Sequence, residues 1–332
     1  MNFGRRQFLY GAGAFGALTV FDGCTVGAAS GGMRPLKVSP IRGGGADSVL
    51  KVSEVELAVG VRTPFKVLHV SDTHLNFWDV TDFCGNAEAE AHFERRWVRF
   101  PQALNSFHAS LDYAQKKGIP VFHTGDLVDW NTVANVDLLR RDLKGVDFFY
   151  ALGNHEYHSS RSRGESKPLS PDGIRARMQT VIGNDLTAAS RILNGVNFVA
   201  FDNGETNLRP ETIAAVEREF DKGLPVVLLC HIPPIYTEKF LDNSLEAGRA
   251  ILRGQGLVAE AEAKTRGKFR TYEERYDAPT AAFWRRLERR KELKAILCGH
   301  THVEERDRFS ETADMFVAGG NYEGFATEFT FS

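Results

Sequence analysis

The chain of 332 residues is short of cysteine, of net charge and of long apolar runs. Its four cysteines are Cys24, Cys84, Cys230 and Cys298, with no C-x-x-C spacing. A zinc knuckle and a thioredoxin-like redox pair are therefore excluded, and nothing indicates a disulfide framework. Cys230 and Cys298 close apolar runs (VVLLC and AILC) and read as small buried residues. A formal charge of −2 leaves no overall field to gather nucleic acid or an anionic membrane, so no nucleic-acid partner is expected. Arg285, Arg286, Arg289, Arg290, Lys291 and Lys294 do cluster, but Leu287 and Leu293 fall among them at helical spacing, which marks the solvated face of a helix. No stretch reaches the roughly 20 apolar residues of a membrane-spanning helix, and no repeat at a fixed period is visible. What is present is an ordinary globular composition, 42% hydrophobic and 25% charged, enough for one large domain or two small ones.

The first thirty residues stand apart from that composition. Arg5 and Arg6 precede Phe8 and Leu9, and a mildly apolar, Gly/Ala-rich stretch runs from Gly11 to Phe21. G-R-R-Q-F-L resembles a twin-arginine export signal. The resemblance implies the twin-arginine export machinery as a partner, a bacterial source, cleavage near Ala28 or Ala29, and a periplasmic or cell-envelope location. The competing reading is a basic, disordered N-terminus. Gly23-Cys24 resembles a lipoprotein attachment site, although Val20-Phe21-Asp22 fits that pattern poorly; membrane contact is expected only if Cys24 is lipidated. Residues 31–50, rich in Gly, Ser and Pro, read as a flexible linker, and residues 51–332 as the folded domain.

Within 51–332 strands and helices alternate. VSEVELAV (52–59) alternates apolar and polar positions as a half-buried strand does. FKVLHV (65–70), IPVFHT (119–124), VDFFYAL (146–152), VNFVAFDN (196–203), LPVVLLC (224–230) and LKAILC (293–298) are short apolar runs that read as strands. Helices are expected from Phe100 to Gly118, from Asn135 to Leu143 with a stop at Gly145, from Pro171 to Ile182 with a stop at Gly183, from Pro210 to Phe220, and near 278–292. The last thirty residues are β-like, with turns at Gly319-Gly320 and Gly324. This alternation indicates a layered α/β fold. Residues 75–99 read as an irregular insertion. Residues 233–290, which carry Pro233-Pro234 and many aromatics, read as a second, substrate-facing or cap insertion.

The polar residues that carry chemistry fall just after the strands, where α/β sheets bind their ligands. Asp72-Thr73-His74 follows FKVLHVS. Gly125-Asp126-Leu127-Val128-Asp129 follows VFHT, and Gly153-Asn154-His155-Glu156 follows FFYAL. His231 follows VVLLC, and Gly299-His300-Thr301-His302 follows AILC. Asp72 and His74, like His300 and His302, are two apart, and in a strand such residues point the same way. Gly125, Gly153 and Gly299 fit turns that need positive φ or a close approach. Five strand ends are thus expected on one sheet edge, carrying carboxylates, an amide and imidazoles. A mixed oxygen and nitrogen shell without thiolate suits Zn, Mn, Fe, Co or Ni, and is poorer in oxygen than calcium or magnesium prefers. The ligands are too many for one tetrahedral zinc, and one bridging carboxylate between two ions resolves the count.

The ordered series D-T-H, G-D-L-V-D, G-N-H-E, a lone His after a strand, and G-H-T-H resembles the calcineurin-like metallophosphoesterases, over about residues 65–305. Each block is short, but the set in order is specific. The resemblance implies a four-layer α/β/β/α sandwich of two mixed β-sheets with metals at one edge. It further implies that Asp72, His74 and His302 hold one ion, that Asn154, His231 and His300 hold the other, and that Asp126 bridges them. His155 would protonate the leaving oxygen, with Asp129 behind it as the carboxylate that orients it; Glu156 is left without a role. The physical chemistry agrees. Two divalent ions (Mn, Fe or Zn expected), about 3.5–4 Å apart, clamp phosphoryl oxygens and make hydroxide available near neutral pH. An alkoxide leaving group then needs a proton donor on the far side.

The expected activity is hydrolysis of a small-molecule phosphomonoester or phosphodiester, a metal-dependent phosphoric ester hydrolysis. One alternative is a pyrophosphate bond in a nucleotide or lipid-linked sugar, with the aromatic insertion holding base or lipid. The other is a non-enzymatic metal-binding scaffold, against which the His155–Asp129 pair argues, since a scaffold needs no proton donor. Bland readings stand beside these. His69 and His123 lie inside strands and read as buried, hydrogen-bonded neighbours, while His92 and His108 read as unrelated to the site. His158, Trp130, Asn131 and Tyr157 are candidates for the pocket wall. Purple acid phosphatases place a Tyr ligand where this chain has Asp129, so no tyrosinate-to-iron colour is expected.

Overall fold

The computed structural model describes residues 49–78, 82, 87–157, 169–205, 207–234 and 276–332. The export signal over 1–30, nearly all of the 31–50 linker, His158 and most of the 233–290 insertion lie outside the described residues.

Side-chain alternation builds the layers. In β2 (Phe65–Val70), Val67 belongs to one apolar core while Leu68 and Val70 belong to another. Neighbours in a strand face opposite sides of the sheet, and both sides here are covered, so the strand reads as a continuous apolar run rather than an alternating one. The first sheet runs β1 (Lys51–Leu57), β11 (Phe325–Phe331), β2, β3 (Val121–Thr124), β4 (Phe148–Ala151). The second runs β5 (Ala188–Leu193), β6 (Val196–Phe201), β7 (Val226–Leu229), β8 (Leu293–Cys298), β10 (Asp314–Val317), β9 (Glu305–Arg308). Both sheets are mixed: β2, β3 and β4 are mutually parallel, as are β6, β7, β8 and β10, whereas β11 is antiparallel to β2 and both edges of the second sheet are antiparallel.

Val67, Phe122, Phe198, Val227, Leu297 and Phe329 fill the space between the sheets. The outer face of the first sheet packs on α2 (Ala103–Lys117), α3 (Val133–Asp142) and α4 (Pro171–Gln179) through Phe107, Leu111, Leu139 and Ile174. The outer face of the second packs on α5 (Pro210–Phe220) and α6 (Ala278–Leu287) through Val216, Phe220, Phe283 and Trp284. The result is the expected α/β/β/α sandwich. Local signals set the helix ends: Gly118 closes α2 at φ 63°, and Thr132, Ser170 and Asp277 cap α3, α4 and α6 by accepting from backbone N–H groups.

Three sequence expectations change. Residues 87–99 form a helix, α1 (Ala87–Arg99), not an irregular insertion. Phe93 and Trp97, one turn apart, face the body, while Val98 is 76% exposed. Two inward apolar residues in a polar segment are too few to show a period. Helix α4 closes at Thr180 rather than at Gly183. The antiparallel edge strand β5 was not anticipated, since Ala188–Leu193 buries only part of one face.

Glu328 ties β11 to its neighbours. Its side chain is 1% exposed and pairs with Lys66 and Lys117, and the Tyr113 hydroxyl donates to it at 2.8 Å. Burial alone would raise its pKa, but the bonds from Lys117, Lys66 and Tyr113 hold it at about 2. A carboxyl depressed in the folded state stabilises above its unfolded pKa and loses that contribution as pH falls through the folded one. Glu328→Gln should therefore cost roughly 1–3 kcal/mol at neutral pH. In urea unfolding across pH, that gap should close between about 4.5 and about 2; a gap that persists unchanged would show that the ionised carboxylate is not its source.

Candidate metal centre

The five motifs meet at one edge of the sandwich. They do not share one sheet: β2, β3 and β4 bring Asp72, His74, Asp126, Asn154 and His155 from the first sheet, and β7 and β8 bring His231, His300 and His302 from the second. The edge is therefore a seam between two sheets, and ligands approach each other across it.

The pairing of Asp72 with His74 also has another origin than strand alternation. β2 ends at Val70, and Asp72 and His74 both lie in the left-handed region, at φ 55° and 53°. Asp126 (54°), His300 (76°) and His302 (61°) do the same. For residues with a Cβ this conformation costs about 1–3 kcal/mol each and persists only where the surroundings fix it. Here the backbone does so. Asp72 N–H donates to Gly125 O at 3.0 Å, His74 N–H to Asp126 O at 2.9 Å, and Leu75 N–H to Leu127 O at 3.0 Å, so the two loops zip together beyond their strands. Glu156, fully buried, accepts from the N–H groups of Asp126 (3.1 Å), Val128 (3.1 Å) and Gly153 (2.8 Å). Its role is to hold the two Gly-containing loops. At Gly299 a Cβ would fall 1.9 Å from Ser71 Oγ and 2.3 Å from Asp72 Oδ2, so the close approach there leaves room for no other residue.

Two groups of side chains result, with ligand atoms within 4.8 Å of one another: Asp72, His74, Asp126 and His302, and Asp126, His231 and His300. Asp126 belongs to both. Its Oδ2 lies 3.1 Å from His231 Nε2 and 3.7 Å from His74 Nε2, while Oδ1 accepts the His155 N–H at 2.8 Å. Asn154 Oδ1 lies 2.9 Å from His300 Nδ1 and 3.1 Å from His231 Nε2. His302 Nε2 stands 3.1 Å from Asp72 Oδ1 and 3.0 Å from His74 Nε2. All seven sequence-predicted ligands are thus brought together.

The donor set fits cations. His231 Nδ1 faces the Thr124 carbonyl at 2.7 Å, which only accepts, so that nitrogen carries the proton. In neutral His231 the lone pair on Nε2 then points at the Asp126 carboxylate and the Asn154 oxygen, which only accept. Convergent acceptors need a proton or a metal between them. Burial disfavours charge on His231, yet Asp126 beside it pushes its pKa up to about 9. Burial likewise works against ionised Asp72, Asp126 and Asp129, but His302, His231 and Arg96 respectively hold their carboxyls below the usual range. Mixed imidazole, carboxylate and amide donors suit first-row divalent ions.

A third group, His74, Asp129 and His155, is different. Asp129 Oδ1 lies 2.9 Å from His155 Nδ1 and 3.1 Å from His74 Nδ1. Arg96 from α1 also grips this carboxylate, with Nε 2.6 Å from Oδ2 and Nη2 on Oδ1. A guanidinium already stands where a third cation would. Burial disfavours charge on His155, but Asp126 and Asp129 raise its pKa above the ordinary value.

A family model described as calcineurin-like phosphoesterase matches residues 65–304. The chain belongs to the calcineurin-like phosphoesterase family. It is a metal-dependent phosphoric ester hydrolase, and the family binds two divalent ions. A search of the curated proteins found no match. Among solved structures, the chain is similar to a dimetal phosphatase from Danio rerio at 11% identity, covering 78% of this chain and 88% of that one, with a TM-score of 0.44. It is also similar to a 5'-nucleotidase from Candida albicans at 11% identity, covering 82% of this chain and 47% of that one, with a TM-score of 0.34. The chain thus spans about half the length of that nucleotidase.

His69, His108 and His123 fall outside the centre. His69 Nε2 bonds Thr124 Oγ1 at 2.8 Å and His123 Nε2 bonds Thr73 Oγ1 at 2.9 Å; burial lowers both pKa values to about 3, so both are neutral core residues. His108 pairs with Asp142. Asn131 and Tyr157 are buried in the body, with the Tyr157 hydroxyl on Asp202, rather than lining an open wall. Sequence reasoning missed Arg96, which sits on a helix it did not expect, and Phe100, whose ring stacks on His74 at 4.6 Å. It also missed Tyr322, whose hydroxyl is 3.2 Å from His302 Nδ1, and Asn203, whose side-chain oxygen accepts the His231 N–H at 2.9 Å. None of the four carries a motif of its own.

Proposed function

We propose that this chain hydrolyses a small-molecule phosphomonoester or phosphodiester, with Asp72, His74 and His302 holding one divalent ion and Asn154, His231 and His300 the other. The observation that carries this reading is Asp126: one buried carboxylate belongs to both ligand groups, with Oδ2 turned to His231 and His74. When bound, two such ions supply positive charge for the phosphoryl oxygens and acidify a water for in-line attack near neutral pH. The side chains do the rest. Asp126 keeps its second oxygen on the His155 N–H and so fixes the donor relative to the ions. His155, 19% exposed, presents Nε2 toward the centre, 3.9 Å from Asp126 Oδ2, while Nδ1 is held by Asp129. It protonates the leaving oxygen as the P–O bond breaks.

His155→Ala should reduce turnover of an alkyl phosphate ester by at least about 100-fold, the lower range for a general acid, while two ions per chain remain. Near-wild-type turnover would contradict the proton-donor role. Asp126→Asn should instead lose metal, and full occupancy by elemental analysis would contradict the bridging role.

The same reading includes export through a twin-arginine-type signal, supported by Arg5 and Arg6 ahead of a mildly apolar stretch. Replacing both with lysine should leave the full chain in the cytoplasm of a bacterial host with that machinery. Periplasmic recovery of the double variant would argue against it.

A further inference from the structure

Helix α1 sends the Arg96 side chain into the centre. Its guanidinium lies along the Asp129 carboxylate, Nε to Oδ2 at 2.6 Å and Nη2 to Oδ1. A planar fork against a planar carboxylate sets orientation as well as charge. The Arg96 side chain is 18% exposed and that of Asp129 is fully buried, so this is not an ion pair diluted by solvent. The Phe100 ring supports the guanidinium from 4.8 Å and stacks on His74 at 4.6 Å, which places cation, ring and imidazole in one pile.

Asp129 has an uneven load. Oδ1 faces His155 Nδ1 at 2.9 Å and His74 Nδ1 at 3.1 Å, and also receives Arg96 Nη2. Among the described residues Arg96 alone bonds Oδ2. The torsion that turns a carboxylate about its own axis is soft. Two imidazoles on one oxygen do not set that angle, whereas a fork on both oxygens does.

We propose that Arg96 is a positioning residue for the proposed hydrolysis: by gripping both oxygens of Asp129 it keeps Oδ1 between His155 and His74, and so aligns the proton donor with a ligand of the metal centre. This inference rests on the function proposed above and extends it to a residue outside the family motifs. It also links the 75–99 segment to the chemistry through Asp129, since α1 reaches that carboxylate through this side chain. Arg96 touches neither ion-binding group directly, so its removal should spare metal content and impair proton delivery.

The test uses the full chain reconstituted with manganese, and two esters that differ only in their leaving group, nitrophenyl and alkyl. Nitrophenolate departs without a proton, whereas an alkoxide requires one. Arg96→Met should lower kcat on the alkyl ester by about 10–100-fold, the usual cost of losing a partner that orients a site residue. The loss on the nitrophenyl ester should be smaller, with unchanged KM and two ions still bound. Arg96→Lys, a charge without a fork, should fall between Arg96→Met and wild type. Equal losses on both esters, a change in KM alone, or wild-type kinetics in Arg96→Met would overturn the proposal while leaving the phosphoesterase reading intact. A wild-type protein silent on both esters would overturn that reading and this one with it. If Arg96→Met does not fold, Arg96→Lys decides on the same ratio: a selective loss on the alkyl ester supports the role and an equal loss removes it.

Discussion

A single carboxylate, Asp126, is buried where two sheets meet and faces imidazoles from both. An ionised carboxylate in that position is costly unless cations or donors surround it. Imidazoles and a backbone donor answer that requirement, against the nearby carboxyls of Asp72 and Glu156. His231 crosses from the second sheet, His74 from the neighbouring loop, and the His155 backbone N–H takes the second oxygen. The same arrangement that satisfies the carboxylate defines two ligand groups sharing one member. That two candidate ligand groups share a member is thus a consequence of where this charge is buried.

Holding ligands there is expensive for the backbone. Asp72, His74, Asp126, His300 and His302 all adopt left-handed φ values, at about 1–3 kcal/mol each. The sandwich offsets this with cores on both faces of both sheets and with the hydrogen bonds that zip the Asp72 and Asp126 loops. The strain is concentrated in the candidate ligands, where a fixed side-chain direction is most useful. Glu156 shows how the support is arranged: it contributes no donor atom to either group, yet three backbone N–H groups of the site loops depend on it.

Much of this was legible in the sequence, for a physical reason. Strands covered on both faces leave continuous apolar runs, so FKVLHV and LKAILC match β2 and β8 residue for residue, and the motifs abut those runs. The candidate ligand residues stood out because metal chemistry restricts their types, and the fold brings those residues together. What was not legible lacked either signal. Helix α1 presents Phe93 and Trp97 inward from an otherwise polar segment, and β5 is a half-exposed edge. Arg96, Tyr322 and Asn203 act through partners distant in the chain, and an arginine on a polar helix looks like any other surface charge until Asp129 is found beneath it. The direction of Asp72 and His74 was expected for the wrong reason. They converge because both are left-handed after the strand has ended, not because strand side chains alternate.

The central claim is that Asp126 joins two ion sites. Its most direct test is anomalous diffraction from crystals grown with manganese. Two peaks about 3.5–4 Å apart, on either side of Asp126 Oδ2 and away from His155, are predicted. A single peak, or one seated on the Asp129–His155 pair, would contradict the account.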